Sequence, residues 1–438
     1  MNFDKEIKEM AAGMEQAMVE RRRDIHRHPE AGWTEFRTAS LVITRLRELG
    51  FEVEFGRAVL AEAERMGVPE ESVLAACQQR AASEGANPEL LKEMAGGCTG
   101  VVGTLDTGRP GKMVALRFDM DCNEVTEAAD EGHRPAREGF ASLHKGCMHA
   151  CGHDGHTTVG LAVAEILASL KDKLAGKVRL IFQPAEEGVR GARAMAARGV
   201  TDEADYLIGS HFMMPKLGFL AYEVQNFLAT SKLNVDFQGV AAHAGGAPEQ
   251  GKNALLAAAA AALNLHAITR HSAGSSRVNV GVLRAGTGRN VIPAQGHMEI
   301  ETRGATTEIN DFIRERAEQV IKGAALMYDT EVKVTPVGSA PGGANSPGLA
   351  EKIRQAGERL GCFDCLTDTY DMCGSEDFTY FMERMQSKGK EAAYIIIGAS
   401  LAAINHNDRF DFDEHAMVLA AELLATTTAD LLSEEVSG

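Results

Sequence analysis

Between positions 144 and 156 the chain carries four histidines, His144, His149, His153 and His156, together with Cys151. Imidazole nitrogen and thiolate sulfur are ligands for borderline divalent metals. In an extended loop Cys151 and His153, two positions apart, point to the same side and can share one ion. The competing reading is a helix start capped by Asp154 with its histidines in solvent, and the density of donors makes it the weaker one. A second segment with chemistry in it is Gln183-Pro184-Ala185-Glu186-Glu187-Gly188, directly after an apolar run that ends at Phe182. Glu-Glu pairs usually begin solvated helices. Neighbouring carboxylates in different surroundings can instead divide the work, one binding a cation and the other accepting a proton. His211 closes the next apolar run, and His406, within Asn405-His406-Asn407, follows a late one that ends at Gly398. A lone histidine at a strand end is more often a satisfied core residue than a ligand. Five donors together, Cys151, His153, Glu187, His211 and His406, exceed one tetrahedral site and suffice for two ions sharing a bridging group.

The elements that position these residues follow from periodicity and punctuation. Helical spacing from Lys5 to Leu49, interrupted at His28-Pro29-Glu30-Ala31-Gly32, predicts a pair of helices. Phe51 to Phe55, Thr99 to Leu105 and Met113 to Phe118 read as strands, and residues 57–97 between the first two as a helical insertion. Asn87 is its candidate N-cap, Pro69 and Pro88 fit first turns, and Gly96-Gly97 is a stop. Strands Val178 to Gln183 and Asp205 to His211 alternate with helices, which predicts an α/β catalytic domain with a central mixed sheet. Residues 226–336 change rhythm to βαββαβ, the pattern of an inserted ferredoxin-like domain, with Val337 to Pro347 as the return hinge. The expected organisation is a catalytic domain from 1–225 and 337–438, interrupted by the inserted domain. Strand Ala393 to Gly398 and a helix from about Asp413 complete it.

Composition removes other classes. At 438 residues the chain exceeds one ordinary hydrophobic core. A formal charge of -17 and 5% aromatic content speak against nucleic acid and anionic membranes as partners. The longest apolar run, Ala254 to Leu263, is too short for a membrane span. The charged N-terminus lacks a secretory pattern, so a cytoplasmic location with mostly reduced thiols is expected. No Gly-x-Ser-x-Gly elbow, dinucleotide fingerprint or phosphate-cradling Gly-Lys-Thr occurs.

These residues, in this order, resemble the aminoacylase and carboxypeptidase superfamily of dinuclear metallopeptidases, within it the branch of indole-acetyl-amino-acid and hippurate hydrolases. The likeness is carried by Cys151-Gly152-His153-Asp154-Gly155-His156 and Pro184-Ala185-Glu186-Glu187-Gly188, and it spans nearly the whole chain. It implies a zinc-peptidase-like catalytic domain with a ferredoxin-like lid, Glu186 as general base, and Glu187 as a ligand beside Cys151, His153, His211 and His406. Two divalent ions, Mn2+ or Zn2+, are implied per chain. The superfamily's usual His-x-Asp reads Asp119-Met120-Asp121 here, so one metal histidine is missing and Cys151 takes its place. Whether Cys151 or Glu187 bridges stays open, and Asp121 either orients a ligand or caps a loop.

In the inserted domain His243 resembles a lid histidine that stabilises the oxyanion and reaches a partner protomer's site; the plain alternative is an exposed turn histidine. Asn290 and Arg303 match lid positions that bind the substrate carboxylate. Arg289 beside them either takes a second carboxylate or lies in a surface turn. The implied substrate is an aromatic N-acyl amino acid, p-aminobenzoyl-glutamate first, with indole-acetyl-aspartate or hippurate-type conjugates as alternatives. The implied partners are a second copy, through the lid, or a homologous second subunit. One reading from another class is a catalytically silent metal-binding chain that serves an active partner, against which the presence of Glu186 and all five donors argues.

Overall fold

The computed structural model describes residues 3–433. Three helices open the chain: α1 (Asp4–Gly13), α2 (Glu15–Arg27) and α3 (Phe36–Glu48). The pattern predicts two, and the difference is a turn at Met14 directly after Gly13, a weak helix former. Strand β1 (Glu52–Phe55) leads into the insertion, which holds two 3-10 turns (Gly56–Ala58 and Glu62–Glu64), α4 (Glu71–Ser83) and α5 (Pro88–Glu93). Asn87 caps α5 by accepting the Glu89 N–H at 3.0 Å. Pro88 occupies the first turn of α5, whereas Pro69 lies ahead of α4 rather than within it.

Then follow β2 (Val101–Asp106), β3 (Met113–Asp119), α6 (Arg134–Glu138), α7 (His153–Ser169), β4 (Lys177–Gln183), α8 (Ala192–Arg198), β5 (Tyr206–Met213), β6 (Phe219–Ala221) and β7 (Val224–Gln225). The next six elements are β8 (Ala229–Gln238), α9 (Ala254–His266), β9 (Ser276–Ala285), β10 (Gln295–Gly304), α10 (Thr307–Met327) and β11 (Glu331–Ala340). The chain ends through α11 (Pro347–Leu360), β12 (Cys365–Thr367), β13 (Tyr370–Asp371), α12 (Thr379–Gln386), β14 (Glu391–Gly398) and α13 (Ala416–Ser433).

Two compact units result. The first comprises Met1–Gln225, Ala344–Asp371 and Tyr380–Gly438; the second comprises Asn226–Gly343 and Met372–Thr379. The first is built on a mixed eight-stranded sheet of order β1-β2-β4-β3-β5-β14-β6-β12. Its middle strands, β4, β3, β5 and β14, run parallel. They are almost wholly buried and read as continuous apolar runs, as strands covered on both faces must. Parallel strands deliver their carboxyl ends to one edge, where ligand sites of α/β sheets form. Asp119, Gln183, His211 and Gly398 stand at or near those ends. Helix α7 lies close on the sheet because of Gly160, where a Cβ would meet the rings of Phe118 and Phe182 at 2.7 and 2.8 Å. Helix α13 has the length and mean hydropathy, 1.3, of a membrane span, but 89% of it is buried in the protein, as befits a core helix.

The second unit is an antiparallel sheet of order β11-β8-β10-β9 with α9 and α10 packed on one face. This is the ferredoxin-like arrangement that the βαββαβ pattern predicts. Strand β11 runs on to Ala340, four residues beyond the expected end of the inserted domain at 336, so the first part of the supposed hinge is strand. Pro336 is accommodated because β11 is an edge strand and its register shifts between Pro336 and Gly338.

Candidate metal centre

Gly152, at φ +87°, turns the chain into α7, leaving Cys151 in the preceding loop and His153 at the helix start. Asp154 is not the cap. One of its oxygens accepts the Gly155 N–H at 2.8 Å, and the other is held by Arg22 Nε at 2.8 Å and His26 Nδ1 at 2.7 Å. All four histidines of the segment are buried, so the solvated helix start is excluded.

The ring orientations separate ligand candidates from supports. His153 Nδ1 lies 2.8 Å from the carbonyl oxygen of Asp121, and His211 Nδ1 lies 2.8 Å from that of Phe212. A carbonyl only accepts, so both Nδ1 atoms carry hydrogen, and each Nε2 is the nitrogen left to bind a metal. His153 Nε2 is buried with no hydrogen-bond partner, and Glu187 Oε1 is buried with His406 Nε2 as its neighbour at 3.3 Å. His156 differs: its Nδ1 bonds Asp119 Oδ1 at 2.7 Å, and its Nε2 accepts the Phe212 N–H at 3.1 Å. Neither nitrogen is left to bind an ion.

The donors converge. Cys151, His153 and His211 present atoms within 4.8 Å of one another, and so do Cys151, Glu187 and His406 and the set His153, Glu186 and Glu187. Cys151 Sγ stands 3.3 Å from His211 Nε2, and His406 Nε2 3.3 Å from Glu187 Oε1. Donors on one tetrahedral ion with bonds of 2.0–2.3 Å are separated by roughly 3.3–3.8 Å, so these spacings fit cations without rearrangement. Cys151, His153 and Glu187 are each common to two of these groups. His406 is the exposed member, held at φ +67° by the bond from its N–H to the Ala150 carbonyl, 2.7 Å.

The base loop is fixed by carboxylates from elsewhere. Asp121 Oδ1 accepts the Glu186 N–H at 3.0 Å and Oδ2 the Glu187 N–H at 2.9 Å. Asp121 therefore orients both glutamates, and through its carbonyl His153, which settles the alternatives left open for it. The Ala185 N–H goes to Glu35 Oε1 at 2.7 Å. Ala185 itself sits at φ +51°, a conformation costing a non-glycine residue on the order of 1–3 kcal/mol. Glu186 Oε2 lies 3.8 Å from His153 Nε2, beside the donor cluster.

Charge in the cluster favours a cation. Burial opposes ionisation of Cys151, yet the neighbouring His211 above all brings its thiol down to about 6. Glu187, also against burial, is brought down to about 2 by His406 and His153. His406 is raised to about 10 by its hydrogen bonds with Cys151 and Glu187. His156 is the exception: burial pushes it to about 4, so it is the neutral ring its two hydrogen bonds require.

The sequence profile of peptidase family M20/M25/M40 matches residues 115–430. The chain belongs to this family. Indole-3-acetyl-aspartic acid hydrolase of Enterobacter agglomerans is 50% identical to this M20 peptidase over 412 residues, 94% of each chain. One of the p-aminobenzoyl-glutamate hydrolase subunits of Escherichia coli K12 is 48% identical over 408 residues, 93% of this chain and 94% of that one. Among solved structures, an aminobenzoyl-glutamate utilization protein from Klebsiella pneumoniae superposes with a TM-score of 0.83 at 42% identity, covering 97% of this chain and 98% of that one. Like the family it belongs to, the protein is a metal-dependent hydrolase.

In the second unit of this M20 peptidase the loops 241–247 and 286–293 pair, through the bridge His243 to Val291 and the bond from the Ala244 N–H to the Asn290 carbonyl, 3.0 Å. His243, Arg289 and Asn290 are thereby neighbours, all exposed. His243 Nδ1 accepts the N–H groups of Gly245 and Gly246, at 3.1 and 2.9 Å, which leaves its Nε2 outward. Arg303 is not with them. It lies at the far end of β10, roughly 27 Å along the strand from Gln295 at about 3.4 Å per residue. Its guanidinium is paired with Glu301 through Nε and Nη2, at 2.8 and 3.1 Å. Within one chain Arg303 and Asn290 cannot grip the same small molecule. Sequence reasoning missed Glu35 and the roles of Asp119 and His156; the only signal was a buried-type acid where a shorter capping residue is usual.

Proposed function

We propose that this M20 peptidase hydrolyses the amide bond of an aromatic N-acyl derivative of an acidic amino acid, p-aminobenzoyl-glutamate in first place. The observation that carries this is near-half identity, over more than nine-tenths of the chain, to two hydrolases named for substrates of that shape. The 50% identity to the indole-3-acetyl-aspartic acid hydrolase supports that conjugate as the second reading.

Cys151, His153, Glu187, His211 and His406 are assigned as ligands of two divalent ions, Zn2+ or Mn2+, with Cys151 and Glu187, each shared by two donor groups, as the bridging candidates. When bound, such ions lower the pKa of water towards about 7 and polarise a carbonyl. Glu186 accepts the proton of the attacking water on its carboxylate and returns it to the departing amine nitrogen. Asp121 holds Glu186 by its backbone N–H, and Glu35 holds the N–H of the preceding Ala185. His243 is assigned to the oxyanion, and Asn290, Arg289 and Arg303 to the substrate carboxylates. Because Arg303 and the His243 loop lie at opposite ends of one strand, both serve catalysis only if they serve different sites. This supports a homodimer in which the His243 loop completes the partner's site. Eight free thiols fit a reducing compartment, the cytoplasm.

The test is a substrate panel with metal analysis. Glu186→Gln should retain about two metal ions per chain and lose several orders of magnitude in kcat. The unaltered enzyme should prefer p-aminobenzoyl-glutamate to indole-acetyl-aspartate and to hippurate. Arg289→Ala should lower kcat/KM for a glutamate conjugate by roughly ten- to a hundred-fold, the loss of one charge-assisted contact, and affect the alanine conjugate far less. A Glu186→Gln enzyme that turns over normally refutes the mechanism; preference for hippurate moves the assignment to the general acyl-amino-acid hydrolase.

A further inference from the structure

Local rules do not explain Glu35. It stands at the N-cap position of α3 but makes no capping bond to that helix, where Ser, Thr, Asp or Asn would satisfy the first-turn N–H groups. Its carboxylate is fully buried and turned to a loop 150 residues further along the chain. Oε1 accepts two bonds, from the Ala185 N–H at 2.7 Å and the Trp33 N–H at 3.0 Å, and Oε2 accepts the Thr99 hydroxyl at 2.6 Å. Both residues gripped by Oε1 are at positive φ, +51° for Ala185 and +69° for Trp33. Side-chain-bearing residues persist there only where the surroundings over-determine them.

The packing agrees with the bonding. A Cβ on Gly32 would stand 3.0 Å from Ala185 Cα, so the Gly32-Trp33 turn lies directly against the base loop. Ala185 immediately precedes Glu186. Three consecutive N–H groups, of Ala185, Glu186 and Glu187, are thus held by two buried carboxylates from separate segments, and Glu35 holds the strained one.

We propose that Glu35 is a positioning residue for Glu186: by fixing Ala185 in its left-handed conformation it sets the direction in which the base leaves the loop. This rests on the reading of Glu186 as base. Glu35 is not among the clustered donors, so its removal acts on turnover and spares metal and substrate binding.

In the metal-loaded, full-length enzyme Glu35→Ala is expected to lower kcat about 10- to 100-fold, the cost of an ångström-scale misplacement. KM should change by less than about threefold and metal content should persist. Glu35→Gln keeps an oxygen for both N–H groups and should stay within about threefold of the original kcat. Adding Ala185→Gly to Glu35→Ala should recover activity in part, since glycine takes positive φ without strain. A readout independent of activity is amide exchange of residues 185–188 in the metal-free protein, faster in Glu35→Ala and near normal in Glu35→Gln. If Glu35→Ala does not fold, Glu35→Asp, too short to reach both N–H groups, replaces it with the same expectations. Unchanged kcat, unchanged exchange, or a loss explained wholly by missing metal overturns the proposal. Glu186→Gln is measured in parallel. If it is inactive while Glu35→Ala is fully active, the positioning role alone fails; if it is active, the assignment of the base fails.

Discussion

Replacing His156 by phenylalanine keeps a ring of similar size in the core and removes two hydrogen bonds at once. The Phe212 N–H loses its acceptor at 3.1 Å, and a buried donor left unpaired costs about 1–3 kcal/mol. Asp119 loses its 2.7 Å bond and keeps Arg117 Nη1 at 2.6 Å, a further cost of about 1.5–3 kcal/mol for a bond to a charged group. The sum, about 2.5–6 kcal/mol if nothing relaxes, is a large share of a domain's stability. Part of it should reach the donor cluster, because the Phe212 carbonyl that orients His211 belongs to the residue His156 pins. Supports of this kind typically carry 10- to 100-fold in metal affinity, about 1.4–2.7 kcal/mol. The assay is titration of the metal-free protein against a competing chelator, with thermal unfolding of the same samples. Metal affinity within twofold of the original, alongside a lowered Tm, would show that His156 supports the fold and not His211, and the chain Asp119, His156, Phe212, His211 would lose its meaning.

Other outcomes follow from single groups. Glu30 is fully buried, accepts the N–H groups of Arg37 and Thr38 at 2.8 Å each, and is pushed by burial up to about 7. Its folded pKa exceeds the unfolded value near 4.5, so its contribution is most favourable below about pH 4.5 and is lost as pH rises through about 7. Glu30→Gln forfeits one N–H bond and, having no charge, also loses this dependence on pH; its Tm deficit should narrow between pH 5 and pH 8 by the equivalent of about 2–3 kcal/mol, and a constant deficit refutes the shift. Mixing inactive His243→Ala with inactive Glu186→Gln should restore activity once protomers exchange, since one hybrid site then has both groups. No recovery despite demonstrated exchange would remove the cross-protomer role of His243.

Much of this was legible in the chain because the relevant signals are local. The βαββαβ unit announces itself by alternation, α5 by Asn87-Pro88, and the ligand segments by their place after apolar runs. What escaped depends on contacts distant in sequence. Helix α1 stops at Gly13, a weak signal beside the strong amphipathic pattern on both sides. Strand β11 continues through Pro336 only because it is an edge with a bulge, which no single segment reveals. Glu35 looks like an ordinary helix-start acid until Ala185 arrives beside it, and His156 has no assigned role until its two nitrogens are seen occupied. The separation of Arg303 from Asn290 required the length and direction of β10.

The strand order has a consequence for synthesis on the ribosome. Strand β5, apolar and central in the finished sheet, pairs on one side with β14, which is made roughly 180 residues later. At about 5–20 residues per second this leaves an open hydrophobic edge for roughly 10–35 s, while the intervening second unit can complete its own sheet. An unpaired edge of that kind invites association with other chains. His406, the last donor, emerges after β14. The nascent protein therefore passes through a period with four of the five donors present and its central sheet unfinished, when chaperone protection of the β5 edge and the timing of metal supply both bear on the yield of active enzyme.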